Sequence, residues 1–252
     1  MAGHSKWHNI KRKKGAIDAK RGRLFTKLIR EIQVAARMSG ADMNSNPRLR
    51  DAIKEAKSNN VTKDTIERAI RRGTGDGDGS AQFEEILYEG YGPGGTALLI
   101  ESLTDNRNRT VSELRATMVR NGGSLGEQGT VAWMFDRCGL ITIRKESANE
   151  DVLMEYALES GATDLKLEGD FWEIITPSTE LFAVRSTLEE HDIAVESAQL
   201  TYLPKTSVEL KGENAQTLLK LLDVLEDLDD VQKIHANFEI DDAELEALQA
   251  LG

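Results

Sequence analysis

The residues with the clearest chemical potential are the cations of the first thirty positions. Four of them form the run Lys11–Lys14, and Trp7 lies a few residues before it. Lysine and arginine neutralise phosphates and release condensed counterions, and an aromatic ring in a basic arm can stack on an unpaired base. The pattern predicts nucleic-acid binding by Lys6, Trp7, Lys11, Arg12, Lys13, Lys14, Lys20, Arg21, Arg23, Lys27 and Arg30.

The net charge of the whole chain does not show that its N-terminal segment is basic. The formal net charge is −11, yet residues 1–72 hold 19 Lys and Arg against 7 Asp and Glu, a net of +12. The remaining residues hold 13 basic against 36 acidic side chains, a net of −23. Such an asymmetry indicates a polyanionic partner on the basic side, and the acidic remainder is expected to stay off that partner.

A second candidate anion site lies in TDNRNRT, residues 104–110. This stretch is predicted to open a helix, which would set Arg107 and Arg109 beside free backbone N–H groups suited to a phosphate. The alternative is a helix capped by asparagine with two surface arginines. Both interpretations remain open from the residues alone.

Catalytic and metal-binding patterns are weak. His4 and His8 could lie on one helical face, but no Cys, Asp or Glu near them completes a ligand set. Cys138 has no histidine close to it in the sequence, and the carboxylates are scattered as on solvated faces. We expect no catalytic residue, no metal, no cofactor and no small-molecule substrate, so the protein is not expected to be an enzyme. A metal-dependent hydrolase is the outside alternative.

The location is inferred from the N-terminus and the apolar runs. The start MAGHSKWHNIKRKK has charges where a signal peptide needs an apolar stretch, and runs such as ALLI at 97–100 are too short to span a bilayer. A single cysteine fits a reducing compartment. We therefore expect a cytoplasmic protein with no membrane partner.

Three amphipathic helices are predicted in the basic segment. Apolar residues recur at helical spacing from about Asp18, and Arg23, Lys27, Arg30 and Arg37 fall on a different face of the same helix. Asn46 and Thr62 are good N-caps for the second and third helices. Residues 1–74 are therefore predicted to form a basic helical domain with an N-terminal arm, followed by a Gly/Asp linker at 75–81.

The rest of the chain alternates strands and helices. The middle of this part is predicted to have the order βαββαβ, which is the ferredoxin-like order. The segment before it supplies only part of a sheet, and a helix and a strand near the C-terminus could complete that sheet. The predicted fold is α+β and multidomain, with a three-helix domain and two α+β domains, the ferredoxin-like one inserted in the other. The predicted bounds are 82–137 with 205–240, the insertion at 138–204, and an acidic tail at 241–252.

Several blocks together resemble the YebC/PmpR family. They are AGHSKWHNIKRKKGAIDAKRGRLFTKLIREI (2–32), NPRLRDAIKEAKSNNV (46–61), IERAIRRGTG (66–75), YEGYGPGGTALLIESLTDNRNRT (88–110) and GGSLGEQGTVAWMF (122–135). The resemblance implies a helical domain followed by two α+β domains, one inserted in the other. It also implies a probable transcriptional regulatory protein. It favours nucleic-acid contact by the basic N-terminal segment, called the basic head from here on, and by Arg107 and Arg109.

Two partners stay open. The family description favours binding to DNA and regulation of transcription. Relatives that include mitochondrial translational activators of cytochrome oxidase act on ribosomes, so the alternative is a translation factor that binds ribosomal RNA. Phosphate contacts carry no sequence information, so the basic residues do not decide between the two.

Overall fold

The structure is a computed structural model that describes residues 18–75, 83–241 and 244, with only the backbone described for 18–21. The predicted N-terminal arm, nearly all of the predicted linker and most of the predicted acidic tail lie outside these residues. The described residues form two compact units, one from the ranges Met1–Ala132 and Ser207–Gly252 and the other from Trp133–Thr206. The finer five-part division predicted from the sequence stays a prediction.

The basic segment forms three helices, α1 (Asp18–Ser39), α2 (Pro47–Ser58) and α3 (Lys63–Thr74). Asn46 caps α2 by accepting a hydrogen bond from the Leu49 N–H at 3.0 Å, and its amide group donates to the carbonyls of Ala35 and Gly40. One side chain therefore starts α2 and fixes it to the end of α1, which explains why a polar residue is fully buried here.

The apolar faces of these helices meet in one core. The core holds residues that recur at i, i+3, i+4 and i+7, which is the spacing that places side chains on one helical face. Its fully or nearly fully buried members include Leu28, Ile32, Leu49, Ile53 and Ile66.

The remaining elements follow in chain order. They are β1 (Glu84–Tyr91), β2 (Ala97–Thr104), α4 (Arg107–Arg120), β3 (Ser124–Leu125), β4 (Phe135–Arg144), α5 (Glu150–Glu159), β5 (Asp164–Glu168), β6 (Phe171–Pro177), α6 (Leu181–Glu190), β7 (Val195–Pro204), β8 (Val208–Glu209), α7 (Gly212–Glu226), β9 (Val231–Ala236) and β10 (Phe238–Glu239). Throughout the described ranges, every helix is too short or too polar to cross a bilayer.

In the first unit, the C-terminal elements return to complete the first sheet. Its strand order is β3-β1-β2-β9, with β9 antiparallel to β2, and β8 pairs with β10 in a small parallel sheet. The core beneath the larger sheet is rich in leucines of α7, such as Leu218, Leu221 and Leu222, which pack with Leu98 and Ile100 of β2. This burial explains why a helix and a strand so far along the chain belong to this unit.

The second unit is the inserted ferredoxin-like domain. Its four strands are antiparallel in the order β5-β6-β4-β7, and α5 and α6 cover a core that includes Ile141, Ile143, Ile174 and Leu153. The predicted α+β multidomain fold with an inserted βαββαβ unit is therefore confirmed.

One strand prediction was wrong. In the sequence, the run TVAWMFD at 130–136 predicts a strand separate from the one that GLITIRK predicts at 139–145. In the structure, Ala132–Met134 is a single 3-10 turn and β4 runs without a break from Phe135 to Arg144. The cause lies in Glu89, whose carboxylate accepts hydrogen bonds from the N–H groups of Gly129, Val131 and Ala132 at 2.6–2.7 Å. Those N–H groups are consequently not free to join a sheet.

Candidate nucleic-acid interface

The structure describes only part of the predicted basic surface. Lys6, Trp7, Lys11, Arg12, Lys13 and Lys14 lie outside the described residues, and for Lys20 and Arg21 it describes the backbone of α1 alone. The side chains of Arg23, Lys27, Arg30, Arg107 and Arg109 are described.

Three predicted cations of α1 lie on one face and meet an acidic turn between α7 and β9. Arg23 Nη1 lies 2.9 Å from Asp227 Oδ2, and Lys27 Nζ donates to the backbone oxygen of Glu226 at 2.5 Å. Arg30 Nη1 donates to the Asp229 carbonyl at 2.6 Å and to Asp230 Oδ1 at 2.8 Å. This face is therefore occupied by oxygen acceptors of the protein itself.

Asp230 is the buried centre of that contact. Its side chain is only 3% exposed, and besides Arg30 it accepts hydrogen bonds from Arg109 Nη2 at 2.8 Å and from Thr110 Oγ1 at 2.7 Å. Burial alone would raise the pKa of Asp230, but the hydrogen bonds from Arg109 and Thr110 and the nearby guanidinium charges lower it below its ordinary value. Asp230 is consequently held as an anion.

Asp230 also bears on the stretch TDNRNRT, which was open to two interpretations, a phosphate site or a capped helix start with two surface arginines. Asn106 caps α4 by accepting from the Arg109 N–H at 3.1 Å, and Arg109 pairs with both Asp105 and Asp230, which raises the pKa of its guanidinium. The anion at this helix start is thus a carboxylate of the chain. Arg107, at the first position of α4, is exposed and makes no ion pair within the described ranges.

The predicted site residues therefore fall into two described groups. Arg23, Lys27, Arg30 and Arg109 are brought together around the turn Glu226–Asp230, and Arg107 lies apart from their pairing. Sequence reasoning treated the head and TDNRNRT as separate anion sites. The run EDLDD at 226–230 is the signal that could have suggested an internal partner, since it is the acidic counterpart of the α1 face.

Other cations were missed by the site prediction. Arg48 bridges Glu31 and Glu85, with Nε–Oε1 and Nη2–Oε1 distances of 2.6 and 2.5 Å. Arg72, in the last turn of α3, and Arg37, in the last turn of α1, line a cavity of about 450 Å³ and have no carboxylate partner within the described part of the chain. The sequence spacing places Arg37 on the predicted basic face of α1, whereas nothing in the local sequence distinguishes Arg72.

The structure explains the surroundings of two groups with catalytic potential, Glu89 and Cys138. Burial alone would raise the pKa of Glu89, but the hydrogen bonds from three backbone N–H groups lower it below its ordinary value. Burial and the charge of Asp136 raise the pKa of the Cys138 thiol to about 11, which disfavours the reactive thiolate. Over the described ranges, no three His, Cys, Asp or Glu side chains are grouped as metal ligands would be. His4 and His8 lie outside those ranges.

The fold and the charged contacts define an α+β multidomain protein with a basic helical N-terminal part and an inserted ferredoxin-like domain. A family model described as the TACO1/YebC protein N-terminal domain matches residues 5–76, and one described as the TACO1/YebC second and third domain matches residues 83–238. The chain belongs to the TACO1/YebC family. This confirms the family resemblance found in the sequence.

Full-length relatives carry a consistent description. A protein of Desulforapulum autotrophicum named as a probable transcriptional regulatory protein is 53% identical over 98% of this chain and 100% of its own length. A protein of Geobacter sulfurreducens with the same description is 52% identical over the same shares. The crystal structure of a conserved hypothetical protein from Aquifex aeolicus is similar, with a TM-score of 0.81 and 46% identity over 91% of this chain and 95% of that one.

Proposed function

We propose that the protein is a nucleic-acid-binding regulator of gene expression and that its basic N-terminal segment contacts the nucleic acid. The observation that carries the proposal is the net charge of +12 over residues 1–72 in a chain of net charge −11. The relatives named as probable transcriptional regulatory proteins support the regulatory role.

The α1 contacts support phosphate binding as well. Arg23, Lys27 and Arg30 already hold a row of oxygen acceptors at 2.5–2.9 Å in the acidic turn. Phosphate oxygens accept hydrogen bonds from guanidinium and ammonium groups in the same way. A nucleic-acid backbone would have to displace the turn to use this face, so the arm and the unpaired cations are the first points of contact.

The basic run of the arm gives the direct test. Changing Lys11, Arg12, Lys13 and Lys14 together to Ala should weaken binding and flatten its salt dependence by about one unit of log-log slope per lost contact. The control removes four cations that are exposed and unpaired within the described residues, namely Arg115, Arg120, Lys145 and Lys220. Equal losses in the two variants would count against a specific role for the arm.

Promoter DNA is the preferred target. A transcriptional regulator should bind selected duplex sites about a thousandfold or more tightly than random duplex at the same salt concentration. Selection from a random duplex pool, followed by affinity measurements on the enriched sequences, tests this. Failure to enrich any sequence would argue against DNA regulation.

Ribosomal RNA is the second candidate, and Trp7 is the observation that favours it. An aromatic residue within a basic arm suits unpaired RNA bases, which can stack on it. This function predicts co-sedimentation with ribosomal particles on a sucrose gradient at low salt. Recovery in the free fractions alone would exclude it.

A further inference from the structure

An open cavity of about 450 Å³ lies at the C-terminal ends of α1 and α3. Phe83, just before β1, also lines it. Its lining includes Gln33, Arg37, Arg72 and Thr74, together with Phe83. None of the described residues that line it is acidic. A cavity of this size lies within the range of ordinary small-molecule sites, and it is large enough for one nucleotide unit.

The cavity is formed by a close approach of two helices. A Cβ atom on Gly73 would collide with the Gln33 backbone oxygen and lie 2.9 Å from Ala36 Cβ, so only glycine lets α3 pack this closely on α1. Both helices then end beside each other at glycines with positive φ, Gly40 at 85° and Gly75 at 89°. The N–H groups of these glycines return to the carbonyls of Ala36 and Arg71, so helix-end acceptors are already partly satisfied.

The two arginines of the cavity have no carboxylate partner among the described residues, unlike several other cations of α1, α2 and α3. Arg23, Arg30 and Arg48 have carboxylate partners within 3 Å, and Arg68 pairs with Asp64 at 2.8 Å. Arg37 and Arg72 form no ion pair with a described residue. Two like charges that share a cavity with no carboxylate among its described lining residues favour an anion between them, although the C-terminal dipoles of α1 and α3 offset part of their charge. Guanidinium groups suit phosphate because they donate two parallel hydrogen bonds.

We propose that this cavity binds a phosphate of the nucleic-acid backbone together with the nucleoside attached to it. Arg37 and Arg72 hold the phosphate, and Phe83 offers an aromatic surface for the base or sugar. One ring contact of Phe83 is already made by the Arg30 guanidinium, 5.5 Å from the ring centroid, so the ring is held in place. This inference rests on the proposed function and deepens it, because it assigns the nucleic-acid contact of the described residues to the ends of α1 and α3. The face of α1 whose cations are already paired is not needed for that contact.

The matched test compares two double variants of the full chain. Arg37→Gln with Arg72→Gln removes the cavity charges, whereas Lys54→Gln with Lys57→Gln removes two exposed charges of α2 that form no ion pair with a described residue. Binding of a labelled single-stranded RNA and of a duplex DNA is measured over a range of salt. For the cavity variant we expect affinity to fall about tenfold per lost contact. Its log-log slope on single-stranded RNA should flatten by about 1.4 units.

The outcomes separate this inference from the proposed function. If the wild-type chain binds neither probe at low salt, the proposed function fails. If it binds and both double variants lose affinity equally, the cavity is not a site although nucleic-acid binding stands. A larger loss in the cavity variant supports the site, and comparison of the RNA and DNA probes shows which backbone it prefers.

A measurement on the wild-type chain keeps the inference testable even if the cavity variant folds poorly. Amide spectra are recorded with adenosine 5′-monophosphate, adenosine and inorganic phosphate. The nucleotide should shift the signals of Gly73 and Gly75 most, adenosine alone the least, and inorganic phosphate should compete with the nucleotide. Absence of any shift at these glycines up to millimolar nucleotide would overturn the site.

Discussion

Asp230 is the residue on which the described charge network depends. Its side chain is 3% exposed and contacts Arg30 of α1, Arg109 of α4 and Thr110, so it joins the helical bundle to the first sheet. Removal of a buried anion leaves its partners without a counter-charge, and this costs more than the net value of the pair. Asp227, by contrast, pairs with Arg23 where both side chains are more than a third exposed.

Asp230→Asn should therefore lower the free energy of unfolding by about 2–4 kcal/mol, less than a fully buried pair would give because Arg109 is 41% exposed. Asp227→Asn is the control and should cost less than about 1 kcal/mol. Urea denaturation at pH 7 measures both changes. Equal small losses would show that water or Asp105 replaces Asp230 as the partner of Arg109.

The contribution of Asp230 to the free energy of unfolding should depend on pH. The folded pKa of Asp230 lies below its ordinary value of about 3.9, so its contribution is fully present above that pH and is lost as pH falls through the folded pKa. The difference in unfolding free energy between wild type and Asp230→Asn should be constant from about pH 5 to 7 and shrink below about pH 4. A difference that stays constant down to pH 3 would contradict the assignment.

Among the elements, the contact of α1 with α3 depends on Gly73. Glycine in a helix is usually a weak point, and its replacement by alanine stabilises an exposed helix by about 0.5–1 kcal/mol. Gly22→Ala in α1 should do so, because a Cβ there meets no atom within 4 Å. Gly73→Ala should instead destabilise by about 1–3 kcal/mol, because its Cβ would collide with the Gln33 backbone. Chemical denaturation of the two variants checks the opposite signs.

Local signals explain which elements the sequence could predict. The caps Asn46 and Thr62 and the apolar spacing of α1 act within a few residues, so the helices were found. The turn at Ala132–Met134 depends on the distant Glu89 carboxylate, and a short apolar run alone reads as a strand. Likewise, the spacing of Arg23, Lys27 and Arg30 predicted a basic face, but only the fold brings the Glu226–Asp230 turn against it.

At the scale of the whole molecule, the basic head and an acidic part of the body are in direct contact within one compact unit. The turn that contains Asp227 occupies cations that could otherwise serve phosphates. A nucleic acid that uses Arg23 must therefore compete with Asp227, and ion exchange of this kind is sensitive to salt. The internal pairing lowers the number of cations available to the partner.

Asp227→Asn should release Arg23 and strengthen nucleic-acid binding by about twofold to tenfold, with a log-log salt slope steeper by about one unit on duplex DNA. The matched control is Asp192→Asn in the second unit. Asp192 is exposed, has a φ of 58° that asparagine tolerates, and loses the same charge without freeing a described cation. Affinity titrations at several salt concentrations compare the two. If both variants gain affinity equally and neither slope changes, the gain comes from net charge alone and Arg23 does not reach the nucleic acid.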